Sequence, residues 1–108
     1  MIDNMVENNI TMVRGNTLAF GMEFDGLDTD LDTAYFTIKA SVDGSVIVQK
    51  SLGSGITKVT TGKYRVRVAP ADTENLDVRM YYYDLQIGVN SDVYTILRGS
   101  LDLVWNIT

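Results

Sequence analysis

The side chains in this chain able to do chemistry are carboxylates, hydroxyls, lysines, arginines and tyrosines, because it contains neither histidine nor cysteine. That removes the imidazole base, the Ser-His-Asp and Cys-His arrangements, thiolate and imidazole metal ligation, and every disulfide. The acids come closest to a site between Asp25 and Asp32. Asp28-x-Asp30-x-Asp32 copies the opening of a calcium-binding loop, in which clustered hard oxygens hold the ion. The copy then fails: its sixth position is Thr33, where glycine makes the turn, and its twelfth is Lys39, where a bidentate Glu belongs. The segment reads as a solvated acidic loop, and no metal or cofactor is assigned. Carboxylate pairs about 5–9 Å apart can also hydrolyse glycosidic bonds. Nothing here marks one acid as a proton donor, and a chain of 108 residues has little room for a deep cleft beside its core. The chain reads as a non-enzyme.

The basic residues are more organised. Residues 45–71 hold five bases, Lys50, Lys58, Lys63, Arg65 and Arg67, and no acid. Residues 1–44 carry eight acids and two bases, and residues 72–108 carry six acids and two bases. Such blocks arise either from cross-strand charge pairs within one sheet or from complementary faces that meet between subunits. Lys63, Arg65 and Arg67 flank Tyr64, which superficially resembles a nucleic-acid strand. Alternation sends Tyr64 to the opposite face, so it cannot stack a base beside those charges, and a net charge of −5 repels phosphate. Tyr81-Tyr82-Tyr83 is the other notable run. With Leu85 and Ile87 inward, Tyr81 and Tyr83 face the core and Tyr82 faces out, where an exposed ring can anchor a protein partner or a sugar. Lys58, Lys63, Arg65, Arg67 and Tyr82 are therefore the expected interaction surface.

Strands must position these residues. Period-2 alternation runs through most of the chain: Leu18, Phe20, Met22 and Phe24 share one face, then Ala34, Phe36, Ile38, Ala40 and Val42, then Tyr64, Val66 and Val68. Turn signals separate the runs at Gly15-Asn16, Asp43-Gly44, Gly53-Ser54-Gly55, Thr61-Gly62 and Asn90-Ser91-Asp92. Asp43-Gly44 predicts a two-residue hairpin. Pro70 ends a strand, and residues 71–76 read as one helical turn with Asp72 as N-cap. Gly99 is expected to break the last segment into two strands, the second placing Leu101, Leu103, Trp105 and Ile107 on one face. About eight short strands at this spacing, with one helical turn, predict an all-β antiparallel sandwich over residues 10–108, preceded by a flexible arm over residues 1–9. Tyr83, soon after the helical turn, is expected to form a tyrosine corner. Residues 1–10 lack the basic start and apolar run of a signal peptide, and no stretch is long and apolar enough to span a bilayer.

Four stretches carry a resemblance. They are Met12-Val13-Arg14-Gly15-Asn16-Thr17-Leu18-Ala19-Phe20, Leu31-Asp32-Thr33-Ala34-Tyr35-Phe36-Thr37-Ile38-Lys39, Pro70-Ala71-Asp72-Thr73-Glu74-Asn75-Leu76 and Tyr81-Tyr82-Tyr83-Asp84-Leu85-Gln86-Ile87. Tyr94-Thr95-Ile96-Leu97-Arg98-Gly99-Ser100-Leu101 closes the set. The layout resembles small immunoglobulin-like structural proteins of phages and prophages of Gram-positive bacteria, and is similar to the N-terminal domain of their upper baseplate proteins. The resemblance implies an immunoglobulin-like sandwich, a structural role in a virion through protein–protein contacts, and protein partners that include virion proteins or the chain itself as a homo-oligomer. It implies assembly in the bacterial cytoplasm without a signal peptide, no nucleic-acid or membrane partner, and no catalytic residues. Baseplate proteins continue beyond such a domain, so a chain ending at Thr108 suggests a free-standing tail, baseplate or other accessory component. The alternative is an immunoglobulin-like recognition module that binds host-surface carbohydrate through Tyr82.

Overall fold

A computed structural model describes residues 5–108. The described residues form β1 (Val6–Glu7), β2 (Ile10–Val13), β3 (Leu18–Glu23), β4 (Thr33–Lys39), β5 (Val46–Leu52), β6 (Gly55–Thr60) and β7 (Lys63–Val68). After the helical turn α1 (Pro70–Thr73) come β8 (Met80–Val89) and β9 (Asp92–Val104). Hydrogen bonding runs in the order β1-β9-β8-β4-β5-β6-β7-β3, with β2 also on β9. The β5–β6 link is confined to Ser51↔Gly55 and Leu52↔Ile56, where the chain passes from one layer to the other. The result is a larger sheet, β1/β2-β9-β8-β4-β5, facing a smaller one, β6-β7-β3. Phe20 of β3 and Phe36 of β4, neighbours in neither sheet, meet edge to face with ring centroids 5.5 Å apart. This is sheet-on-sheet packing, and the all-β sandwich expected from the alternation is what forms.

The core follows the period-2 pattern. Ala34, Phe36 and Ile38 of β4, Tyr64, Val66 and Val68 of β7, Tyr81, Tyr83, Leu85 and Ile87 of β8, and Leu101 and Leu103 of β9 are all buried. Each large apolar side chain removed from water contributes roughly 1.5–3 kcal/mol, and no disulfide is needed to staple the layers. At the centre Phe36 touches both Phe20 and Tyr83, the latter at 5.4 Å. Immunoglobulin-like domains commonly hold their inter-sheet disulfide and buried tryptophan at such a point; here three aromatic rings fill it.

The tyrosine corner is made by Tyr81, not by Tyr83. The Tyr81 hydroxyl donates to the Asp77 carbonyl at 2.7 Å. Tyr83 stands two residues, about 7 Å, farther along the strand, out of reach of the corner. Its hydroxyl donates instead to the Asn8 carbonyl at 2.6 Å. The helical turn also starts earlier than expected, with Ala69 as N-cap, because Pro70 suits the first helical position. Asp72 then lies in the first turn, where its carboxylate accepts the Ala69 N–H at 2.7 Å and pairs with Lys50 at 2.8 Å. The buried Thr73 hydroxyl accepts the Gly15 N–H at 2.9 Å, tying this turn to the β2–β3 connection.

Gly99 does not break a strand. β9 runs unbroken for 13 residues, and Gly99 instead makes room for the N-terminal segment. β1 pairs in parallel with Leu97 and Arg98, and β2 pairs in parallel with Leu101 to Val104. Between them Asn8 crosses directly over Gly99, where a Cβ would overlap the Asn8 carbonyl. The Asn8 N–H donates to the Arg98 carbonyl at 2.9 Å, and the Asn9 Oδ1 accepts from the Ser100 hydroxyl at 2.9 Å. Within the stretch read as an arm, residues 6–9 are thus hydrogen-bonded to β9, and residues 1–4 lie outside the described residues.

Three end effects also differ from the periodic reading. β4 stops at Lys39, so Val42 is exposed in the 40–45 loop. There the Gly44 N–H closes a turn on the Ser41 carbonyl at 3.0 Å, and Asp43-Gly44 forms part of a longer connection instead of a two-residue hairpin. The tight hairpin is Asn90-Ser91, with φ of 51° and 70° between the paired Val89 and Asp92. β9 ends at Val104, leaving Trp105 and Ile107 exposed, with the Arg14 guanidinium 4.6 Å over the Trp105 ring.

Candidate functional site

The two outer faces of the sandwich differ in chemistry, and the expected interaction residues are divided between them. Tyr81 and Tyr83 are buried, so Tyr82 projects from the outer face of the larger sheet and is 40% exposed. Register places Tyr82 between Lys39 of β4 and Ser100 of β9, and Asp84 between Thr37 and Arg98. With Glu7 and Asn9 from the N-terminal segment, these side chains line a shallow groove of about 520 Å³. A second hollow of about 210 Å³ lies beside it over Tyr35, Thr37, Gln49 and Gln86. Met5, Tyr35, Val42, Val46 and Met80 are exposed on or around this face, giving it apolar contact area among mixed charges. Of the hydroxyls here, the Ser100 Oγ donates to the Asn9 amide oxygen and the Thr37 Oγ1 accepts from the Gln49 amide. The groove can bind by ring contact and hydrogen bonding.

The outer face of the smaller sheet carries Lys63, Arg65 and Arg67 of β7, all exposed beside Glu23, Gly21 and Ala19 of β3. Tyr64 points inward and its hydroxyl accepts the Leu31 N–H at 2.9 Å, so it shares no face with those charges. Lys63 meets Glu23 across the β3–β7 pair at 3.9 Å. Lys58 stands opposite Tyr64 on β6 and reaches Asp30 at 2.7 Å. The Asp30 hydrogen bond raises the Lys58 pKa above its usual value, against a smaller opposing desolvation. With Lys50 on Asp72, the three lysines of the basic block each pair with an acid from an acidic block. Among the described residues Arg65 and Arg67 have no ion-pair partner.

The acidic loop holds no converging ligand set. Asp25, Asp28, Asp30 and Asp32 are exposed, Asp30 is taken by Lys58, and Asp32 faces the Ser91 N–H at 3.5 Å. Among the described residues no cluster of three or more acids is placed to hold a metal ion. Leu27 and Leu31 are buried and pin the loop to the core. No helix among the described residues is long and apolar enough to cross a membrane.

Alternation turns Tyr82 and Asp84 outward together, but sequence reasoning missed their neighbours Arg98, Glu7 and Asn9. The alternation already turned Tyr35, Thr37 and Lys39 outward. Which of these stand beside Tyr82 depends on strand pairing, and alternation alone carries no pairing information.

No protein-family model and no characterised protein matches the sequence. Solved structures do resemble the fold. One is the immunoglobulin-like domain of mouse leukocyte-associated immunoglobulin-like receptor 1, solved as a strand-swapped dimer. It has a TM-score of 0.55 and 10% identity, over 89% of this chain and 88% of that one. Another is the extracellular domain of the voltage-gated sodium channel beta4 subunit, described as a parallel homodimer, with a TM-score of 0.50 and 14% identity over 99% of this chain and 100% of that one. With β1 and β2 paired on β9, its Tyr81 corner and its two facing sheets, the chain has an immunoglobulin-like β-sandwich fold.

Proposed function

We propose that this chain is a non-enzymatic interaction domain, a structural or accessory component of a phage or prophage particle that engages a protein partner through the outer face of its larger sheet. The observation that supports this reading is the grouping of exposed Tyr82, Tyr35, Met80, Val42 and Val46 around the groove, with Lys39, Asp84, Arg98 and Glu7 interspersed. Aromatic and apolar anchors among polar groups are the composition of protein interfaces. The phage context comes from the sequence resemblance. The two similar domains described above are each reported as dimers, in keeping with a role in protein association.

The test is co-purification. Particles induced from the organism that encodes the chain are banded on a density gradient and analysed by mass spectrometry. The expected result is that the chain bands with the particles, and that Tyr82→Ala with Tyr35→Ala strips it while Arg65→Glu does not. Absence of the chain from intact particles refutes the reading.

A second reading is carbohydrate recognition, favoured by the Tyr82 ring lying in a groove with the Asn9 amide, the Ser100 hydroxyl and the Asp84 carboxylate. It requires glycan binding that weakens in Tyr82→Ala, and silence on a glycan array at high protein concentration refutes it.

A further inference from the structure

Among the described residues the smaller sheet ends on β3, which has a strand partner on one side only, β7. The Phe24 N–H donates to the Gly62 carbonyl at 2.9 Å, and this sets the phase of the ladder. Leu18, Phe20 and Met22 aim their backbone groups at β7, while Ala19, Gly21 and Glu23 aim theirs at the open edge. Exposed edges are normally blunted by bulges, inward charges or interruptions. β5 and β6 each have a register shift and an inward-side lysine, Lys50 opposite Phe36 and Lys58 opposite Tyr64. The N-terminal edge is interrupted at Asn8 and Asn9. β3 has none of these devices: its six residues pair with β7 in unbroken register, without proline or inward charge.

We propose that β3 pairs antiparallel with the β3 of a second copy of this chain, about a two-fold axis through Gly21. Only residues whose backbone groups face the open edge can form the hydrogen-bonded pairs, which leaves a small set of registers. The register centred on Gly21 sets Ala19 opposite the partner's Glu23. On the inner side it sets Phe20 opposite the partner's Met22 and Leu18 opposite the partner's Phe24. Leu18, Phe20 and Phe24 are only half-buried in the single chain, and this contact covers them. Charge complementarity is satisfied in the same register. Arg67 lies across from Ala19, so the partner's Glu23 falls two strand spacings away, about 10 Å between Cα atoms, with only a methyl group between. Arg67 has no carboxylate partner among the described residues of its own chain, and the two-fold axis forms the new pair twice. The interface is closed, so the product is a dimer with a continuous six-stranded sheet and not a filament. The outer face of the larger sheet stays free, and this inference stands independently of the proposed function.

The test is the solution mass of the full chain, by light scattering and sedimentation across a concentration series. A dimer is expected. Arg67→Glu and Glu23→Arg should each weaken it by about tenfold, since two symmetric exposed pairs turn from attraction to repulsion, and the double variant should recover most of the loss. Gly21→Pro removes an edge donor and should give monomers, while Tyr82→Ala should leave the mass unchanged. The charge-swap series decides the matter even if Gly21→Pro fails to fold. A monomer at about 1 mM and low salt, a dimer indifferent to both charge reversals, or a dimer dissolved by Tyr82→Ala would overturn the proposal.

Discussion

Replacing Gly99 with alanine tests how the N-terminal segment is held. A Cβ at this position overlaps the carbonyl oxygen and carbon of Asn8, which are backbone atoms that no rotamer change can move aside. The segment must lift from β9, and three contacts depend on its place: the Asn8 N–H on the Arg98 carbonyl at 2.9 Å, the Tyr83 hydroxyl on the Asn8 carbonyl at 2.6 Å, and the Ser100 hydroxyl on Asn9 at 2.9 Å. At a net 0.5–1.5 kcal/mol for a typical hydrogen bond, their loss costs about 2–4 kcal/mol. For a domain of this size that lowers the melting temperature by roughly 10–20 °C. The assay is thermal and urea unfolding of Gly99→Ala in the intact chain and in a chain lacking residues 1–9. Without Asn8 the methyl group meets nothing from that segment, and alanine is better than glycine in a strand interior by about 0.5–1 kcal/mol. The sign should therefore reverse in the truncated chain. A cost of equal size in both backgrounds would refute the assignment of Gly99 to the Asn8 crossing.

Tyr81→Phe removes the corner hydrogen bond to Asp77 and should cost about 1 kcal/mol in urea unfolding, with the fold retained. Alkaline titration tests the same residue. Burial, reinforced by the Asp77 carboxylate, raises the Tyr81 pKa, and burial raises that of Tyr83. Their contribution to stability is intact below the unfolded value near pH 10 and is lost as pH climbs through the raised native values. Native tyrosinate absorbance should accordingly lag behind that of the unfolded chain. Asp72→Ala leaves the Ala69 N–H uncapped and Lys50 unpaired at a largely covered site, and should cost about 2 kcal/mol in the same assay. Ser91→Gly should raise stability by up to about 1 kcal/mol, because Ser91 holds a φ of 70° in a hairpin turn that favours glycine there.

What the sequence made legible was whatever depends on alternation. Phe36 against Tyr35, Val66 against Arg65 and Tyr83 against Tyr82 separate core from surface by period alone, and the sandwich follows from strand number and spacing. What stayed hidden depends on contacts between distant segments. Gly99 looked like a breaker because the reason for it, the Asn8 carbonyl, lies 91 residues away in sequence. The corner fell to Tyr81 because its hydroxyl reaches the Asp77 carbonyl, while that of Tyr83 meets the distant Asn8 carbonyl. Trp105 and Val42 carried the right period but lay beyond the ends of their ladders. The candidate surface was half legible for the same reason: Tyr82 and Arg65 were each correctly read as exposed, but on opposite faces of a sandwich they cannot serve one site.

The most direct test of the interaction reading is a photo-crosslink from position 82. A benzophenone-bearing residue replaces Tyr82, the protein is assembled into particles in the encoding organism, and crosslinked peptides from gradient-purified particles are identified by mass spectrometry. The account predicts a crosslink from position 82 to a defined particle protein, and none from the same group at position 65 on the opposite face. Particles that contain the chain but give no crosslink at position 82, or give the same one from position 65, would contradict it.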